Sequence, residues 1–425
     1  MATIAQVNRH IQLPEPMIPS LRANFSWTLV GNVVYSACQW GMISALAKLG
    51  NAALVGCFAL GLAITAPVFM FTNLQLRVVQ ATDARSEFDF SDYFTLRLFA
   101  SLAGLIVICA IVPAGRNDWA TGTVIILVGL SKAIESLSDV IAGLLQKAEQ
   151  LHRVAISLMI KGTVSLPAFT AAFWFTRSLV VAVVALIAVW LSVFALYDLR
   201  QASSLIRGND SFFAFRWPRL KRLAILSAPM GLASTLFSLN VNIPRYLLGH
   251  ARGQAELGIF ASLAYLLVAI NLVVNALGQS VTARLARDFA EGAIGRFRNL
   301  LGSLLAFSVL ILVIAIPMAR LVGRPLIAFV YRPEYSQFAS LFTILVVTAG
   351  LSAVATFLNC GMTAARSLRM QAPIMIAMTA CTVCFSVLLI PSFGADGAAY
   401  ALLIGSCVQS IGGAWALHYT IRCLD

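Results

Sequence analysis

The chain has 425 residues, of which 60% are hydrophobic and 11% charged, against about 25% charged in an ordinary soluble domain. A mean hydropathy of +0.87 leaves too little polar surface to cover a globule of this size, and it equally excludes a disordered chain. The net charge of +13 comes without a long basic run, which argues against a nucleic-acid partner and for a charge bias among membrane loops.

Residues 1–24 carry Pro14, Pro16 and Pro19 and have no apolar core before a small-residue cleavage site. No signal peptide is expected there, only a cytoplasmic N-terminal segment. Apolar stretches long enough to cross a bilayer, about 17–25 residues, then follow at 25–46, 54–76, 93–113, 120–145, 154–175, 179–197, 223–248, 257–282, 300–317, 338–358, 372–390 and 398–418. Continuous runs of this kind suit helices, which satisfy their own backbone, and not the weak alternation of barrel strands. The predicted fold class is an all-α polytopic membrane protein, with twelve transmembrane helices in two six-helix pseudo-two-fold bundles. The bundles occupy 25–198 and 223–420, and a cytoplasmic linker, 199–222, joins them.

The N-terminus, the even-to-odd loops and the C-terminus hold 20 basic residues, and the opposite loops hold seven. Both termini are therefore expected in the cytoplasm, as an even number of crossings requires. The halves also resemble each other at an offset of 202 residues, with Ala53/Ala255, Gly56/Gly258, Phe58/Phe260, Asn73/Asn275 and Arg85/Arg287 among the identities. An even number of crossings per half places the repeat axis along the membrane normal, which is transporter architecture.

Polar residues recur on helix faces inside the apolar segments. Asn24, Thr28, Asn32, Tyr35 and Gln39 do so in the first, Ser234, Ser238, Asn242 and Arg245 in the seventh, and Thr348, Ser352, Thr356, Asn359 and Thr363 in the tenth. Asn73 and Asn275 occupy equivalent places in the second and eighth. Single hydroxyls serve as helix glue, whereas stripes several turns long suit the wall of a watery cavity.

Lys132, Glu135, Asp139, Lys161 and Arg245 lie deeper still. In lipid each would cost roughly 2.5–3.5 kcal/mol, so they must face the interior and find partners. A pair between Asp139 and Lys161, each about 10 Å from the inner face at 1.5 Å per residue, is expected. Two readings stay open: buried ion pairs that fix the hairpin of the fourth and fifth helices, or a hydrated cavity of net positive charge. In the second reading Arg245 has no acidic partner and suits an anionic, phosphate-bearing substrate, while Glu135 and Asp139 are the candidates for ion coupling through a proton. Bends are expected at Pro67, Pro229 and Pro244.

No Walker loop is present. The four histidines, His10, His152, His250 and His418, lack metal-site spacing, and Cys381 and Cys384 lie within an apolar segment, where packing is their role. The eight cysteines suggest no disulfide framework. The longest outer loop, 318–337, is too short to house a catalytic domain. No enzyme activity, cofactor or metal is expected.

The junction Leu49-Gly50 to Val55-Gly56-Cys57-Phe58-Ala59-Leu60 resembles the LG…GxFxL turn of the bacterial polysaccharide exporters and O-antigen flippases of the multidrug/oligosaccharidyl-lipid/polysaccharide exporter superfamily. Pro325-Leu326-Ile327 followed by Tyr331-Arg332-Pro333-Glu334-Tyr335 is similar to the segment before their tenth helix, with Arg332 where a glycine is usual. Gly394-Ala395-Asp396-Gly397-Ala398-Ala399-Tyr400-Ala401 looks like the entry to their twelfth.

The resemblance implies a multi-pass protein of the bacterial inner membrane that moves an isoprenoid-diphosphate-linked oligosaccharide between leaflets by alternating access, for lipopolysaccharide or capsule assembly. On this reading Arg245, Lys132 and Lys161 meet the headgroup phosphates, and Asn32, Gln39, Asn73, Asn242 and Asn275 meet sugar hydroxyls. The partners implied are membrane lipid, the anionic lipid-linked glycan, and a glycan polymerase or chain-length machinery, with the transporter itself a monomer. The alternative is a cation-coupled multidrug or small-molecule antiporter of the same superfamily, working through Glu135 and Asp139.

Overall fold

The computed structural model describes residues 21–83, 86–114, 118–206 and 212–422. The expected N-terminal segment 1–24 lies outside these except for its last four residues, as do Arg85, Arg116 and Arg207 of the charge count and the side chains of Arg22 and Arg369. The described residues form helices and short turns, with no strand among them. In the N-terminal part these are α1 (Leu21–Leu49), α2 (Ala52–Thr72), α3 (Leu76–Thr82), α4 (Phe90–Ala114), α5 (Trp119–Lys147), α6 (Leu151–Thr176) and α7 (Leu179–Val193), followed by a π-helical turn (Phe194–Asp198) and α8 (Leu199–Leu205). The C-terminal part holds α9 (Trp217–Arg252), α10 (Gln254–Tyr265), α11 (Val268–Ala290), α12 (Ile294–Val330), α13 (Ala339–Ala364) and α14 (Leu368–Arg422).

Among the described residues eight helical stretches are long and apolar enough to cross a membrane, or nine when α10 and α11 count as one bent crossing. This is a multi-pass membrane protein. The difference from twelve has a chemical origin. Neither α1, diluted by its stripe of amides and hydroxyls, nor α5, which carries Lys132, Glu135 and Asp139, is among those stretches. The 55-residue α14 is two helices run together across Gly394, whose φ of 55° belongs to no right-handed helix.

The helices end at places other than the three prolines where bends are expected. Pro67 stays inside α2, and Pro229 and Pro244 inside α9. The chain breaks instead at 73–75, where Leu74 and Gln75 both have φ of 50°, and between α10 and α11, which meet at 45°. A proline removes one hydrogen bond that a helix can survive, whereas the two left-handed residues at 74 and 75 end α2 outright.

The apolar core is distributed unevenly between the two ends of the bundle. Toward the end expected outside the cell, α2, α6 and α7 share one continuous core with α10 and α13, through Leu46, Phe58, Phe173, Phe260, Leu345 and their neighbours. Toward the opposite end the cores are separate. Leu285, Phe297, Phe357 and Leu417 form one within the C-terminal part. Leu76, Tyr93, Phe94 and Val140 form another within the N-terminal part, joined only by the start of α9 through Leu223.

The shared end is held by a close crossing of α2 and α10. A Cβ at Gly56 would strike the Gln254 carbonyl, and one at Gly258 would strike the Ala52 carbonyl. Both residues and both carbonyls are related by the 202-residue offset, so this contact obeys a local two-fold relation, and glycine at both positions lets the backbones touch. Arg332 donates to the Lys48 carbonyl at 2.8 and 3.2 Å. The Tyr331 hydroxyl accepts from Trp40 Nε1 at 3.3 Å and donates to the Ser262 carbonyl at 2.6 Å, tying α1 to α10 across the seam.

Candidate functional site

Where the shared core ends, polar side chains begin. Lys132 lies near the middle of α5, about 20 Å from its start at 1.5 Å per residue. Its ammonium meets Glu135 Oε2 at 2.6 Å on the same helix face and lies 5.9 Å from the ring centre of Trp190 on α7. From α1, the Tyr35 hydroxyl donates to Glu135 Oε1 at 3.2 Å. Both members of the ion pair sit deep in the bundle, yet Lys132 keeps 27% and Glu135 35% of its side-chain surface accessible, as the wall of a cavity between helices does.

Arg245 approaches from α9. Its Nη1 reaches Asn242 Oδ1 at 3.5 Å, its Nε is buried without a partner, and no carboxylate pairs with it among the described residues. A guanidinium held this way keeps donors free for an anion, the geometry that recognises phosphate or carboxylate oxygens in pairs. Tyr265, at the break between α10 and α11, is within electrostatic reach of Lys132, Arg245 and Tyr35. It joins the two charged walls at the point where α10 and α11 part.

Lys161 does not join this group. It forms a 2.8 Å pair with Asp198, both side chains almost wholly buried, and Ser157 donates to the other carboxylate oxygen at 2.6 Å. The expected Asp139 to Lys161 pair is therefore corrected. Asp139 is bound by Arg77 at 3.3 Å and by Arg97 at 3.1 Å, and the Arg97 side chain has no exposed surface. The reason lies in α7: its π-helical turn at 194–198 shifts the register and carries Asp198 inward to α6.

The amides divide in a similar way. Gln39 lies one turn from Tyr35 on the same face of α1 and so belongs to the same wall. Asn73 accepts from Ser136 at 2.5 Å in the break between α2 and α3, whereas its repeat counterpart Asn275 sits in mid-helix. Asn32, Asn242 and Asn275 each donate to the carbonyl one turn earlier, at 2.7, 2.9 and 2.8 Å. Thr348, Thr356 and Thr363 do likewise on α13. These stripes satisfy their donors locally, at little cost in an apolar setting, and leave acceptor oxygens for a ligand. Among the described residues no three His, Cys, Asp or Glu side chains gather to hold a metal ion.

Comparison with known proteins agrees with this architecture. No family model matches the chain. The chain is similar to the capsular polysaccharide biosynthesis protein CapF of Staphylococcus aureus, 27% identical over 391 residues that cover 91% of this chain and 97% of CapF. It superposes on the inward-facing conformation of a multidrug resistance MATE family transporter of the MOP superfamily with a TM-score of 0.73, at 14% identity over 93% of this chain and 98% of that one. The lipid II flippase MurJ, in an inward closed conformation, gives 0.73 at 10% identity over 93% and 87%. The chain shares the fold of these solved structures, and the expected resemblance to the polysaccharide exporters and flippases is borne out.

Proposed function

We propose that this chain, a membrane transporter by fold, is a flippase that carries an isoprenoid-diphosphate-linked oligosaccharide across the bacterial cytoplasmic membrane for capsule or lipopolysaccharide assembly. Twelve crossings form two six-helix bundles, 25–198 and 223–420, with both termini in the cytoplasm. The state described is inward-facing: the bundles share one core at the outer end and keep separate cores at the inner end, so the space between them opens to the cytoplasm. Rocking about the glycine crossing of α2 and α10 would reverse this, and the step is a population shift with no covalent chemistry.

The observation that carries the reading is Arg245, a cation inside the bundle with no acidic partner among the described residues, in a protein whose other deep, accessible charges, Lys132 and Glu135, pair with each other. Lys132 and Glu135 cancel, which leaves Arg245 as the net charge of the central cavity. A diphosphate would neutralise it, while Asn32, Gln39, Asn73, Asn242 and Asn275 meet sugar hydroxyls and the isoprenoid tail stays in lipid. Lys161 acts at one remove, through the charge it projects toward Glu135. Similarity to a capsule biosynthesis protein supports this over the multidrug antiporter, as does the engagement of Glu135 and Asp139 by cations.

The test is Arg245→Ala and Lys132→Ala in cells that make the glycan. Arg245→Ala is expected to abolish export and Lys132→Ala to reduce it, both at normal protein levels. Unchanged export in both removes the cavity cations from the site. A transport rate in proteoliposomes that does not vary with pH removes the proton role of Glu135.

A further inference from the structure

A second cationic site lies away from the central cavity, at the inner end of α11. One face of this helix carries Ser280, Arg284, Arg287, Asp288 and Glu291, and with Arg296 at the start of α12 they line an open surface cavity of about 460 Å³. The two acids are already engaged. Arg296 reaches Glu291 at 2.8 Å and Asp288 at 3.8 Å. Arg284 and Arg287, neighbours one turn apart, have no acidic partner among the described residues, and the lining carries a net charge of +1. Two adjacent guanidinium groups repel each other unless an anion lies between them, and their forked donors match the oxygens of a phosphate. The site falls just beyond the apolar stretch that ends near residue 282, at the level of the lipid headgroups, on the face where anionic lipid concentrates.

The geometry points to a phosphate-binding site here, formed by Arg284, Arg287 and Arg296, that holds the headgroup phosphate of an inner-leaflet lipid against the end of α11. A bound phosphate would clamp the α11–α12 turn, the free end of the helix whose break at Tyr265 borders the central cavity. The site does not depend on the glycan reading, since any phosphate-bearing lipid satisfies its chemistry.

The experiment is thermal unfolding of the purified full chain in detergent, titrated with short-chain phosphatidic acid, with diacylglycerol lacking the phosphate, and with inorganic phosphate. Phosphatidic acid is expected to raise the unfolding midpoint by several degrees and diacylglycerol to leave it unchanged. The rise should vanish in Arg284→Gln/Arg287→Gln and persist in Arg320→Gln, a control at the far end of α12. The double variant without ligand should unfold at the wild-type temperature, since both side chains are exposed. If inorganic phosphate alone reproduces the rise and the double variant abolishes it, the phosphate site stands with a soluble ligand as its source. An equal rise in the double variant, or none in the wild type, overturns the proposal.

Discussion

The Lys161 and Asp198 pair offers the sharpest test of how charge is handled inside this bundle. The side chains are 6% and 4% exposed, the contact is 2.8 Å, and Ser157 occupies the second oxygen. Asp198→Leu leaves the ammonium of Lys161 buried without an acidic partner, and breaking a buried pair in this way costs about 3–5 kcal/mol. Lys161→Met with Asp198→Leu removes both charges together, and apolar replacement of a buried pair is about neutral or better. The double variant should therefore be more stable than either single variant, with a coupling energy in the cycle above the roughly 0.5–3 kcal/mol usual for neighbouring residues. Equilibrium unfolding of the four purified proteins in detergent measures it, with glycan export scored in parallel. Single variants within about 0.5 kcal/mol of wild type would refute the burial argument. A stable double variant that exports nothing would return Lys161 to the transport site.

Three further outcomes follow from the same geometry. Gly56→Ala drives a methyl group into the Gln254 carbonyl, an overpacking worth about 1–3 kcal/mol, and should loosen the outer seam. Spin labels across the outer ends of α2 and α10 would report a wider distance distribution, and an unchanged one would show that the seam yields elsewhere. Tyr265→Ala should lower export several-fold with little change in protein level, whereas Tyr265→Phe separates the role of the hydroxyl from that of the ring. Asp89, just before the start of α4, accepts from Arg216 at 2.8 Å and Arg219 at 2.6 Å. Burial alone would raise its pKa, but the two guanidinium groups outweigh that and hold it below the usual carboxylate value. Its contribution is therefore present above the ordinary aspartate pKa of about 3.9 and lost as pH falls through the lower folded value. Wild type and Asp89→Asn should differ in unfolding midpoint by a constant amount from neutral pH to about pH 5 and converge below about pH 4. Because Asp89 is half exposed, that difference should be small.

Hydropathy runs are local, and a helix in lipid must close its own hydrogen bonds, so the sequence alone determined that this is a multi-pass helical protein and where its helices lie. The 202-residue offset likewise anticipated the reciprocal contact of Gly56 and Gly258, because equivalent backbones that meet at a two-fold axis need the same small residue twice. Arg245 was legible as a cation without a partner in its own helix. The choice of partners was not legible. Asp198 stands just past the sixth apolar run, 179–197, and nothing in its spacing pointed to Lys161 until the π-helical turn carried it there. Arg77 and Arg97 counted as loop charges until the packing of α3 and α4 closed them on Asp139. Tyr265 gave no signal, since the break beside it contains no proline and its neighbours come from three other helices. Spacing fixes which face of a helix a residue occupies, but only the packed bundle decides which faces meet, which charges cancel, and at which end the two halves stay joined.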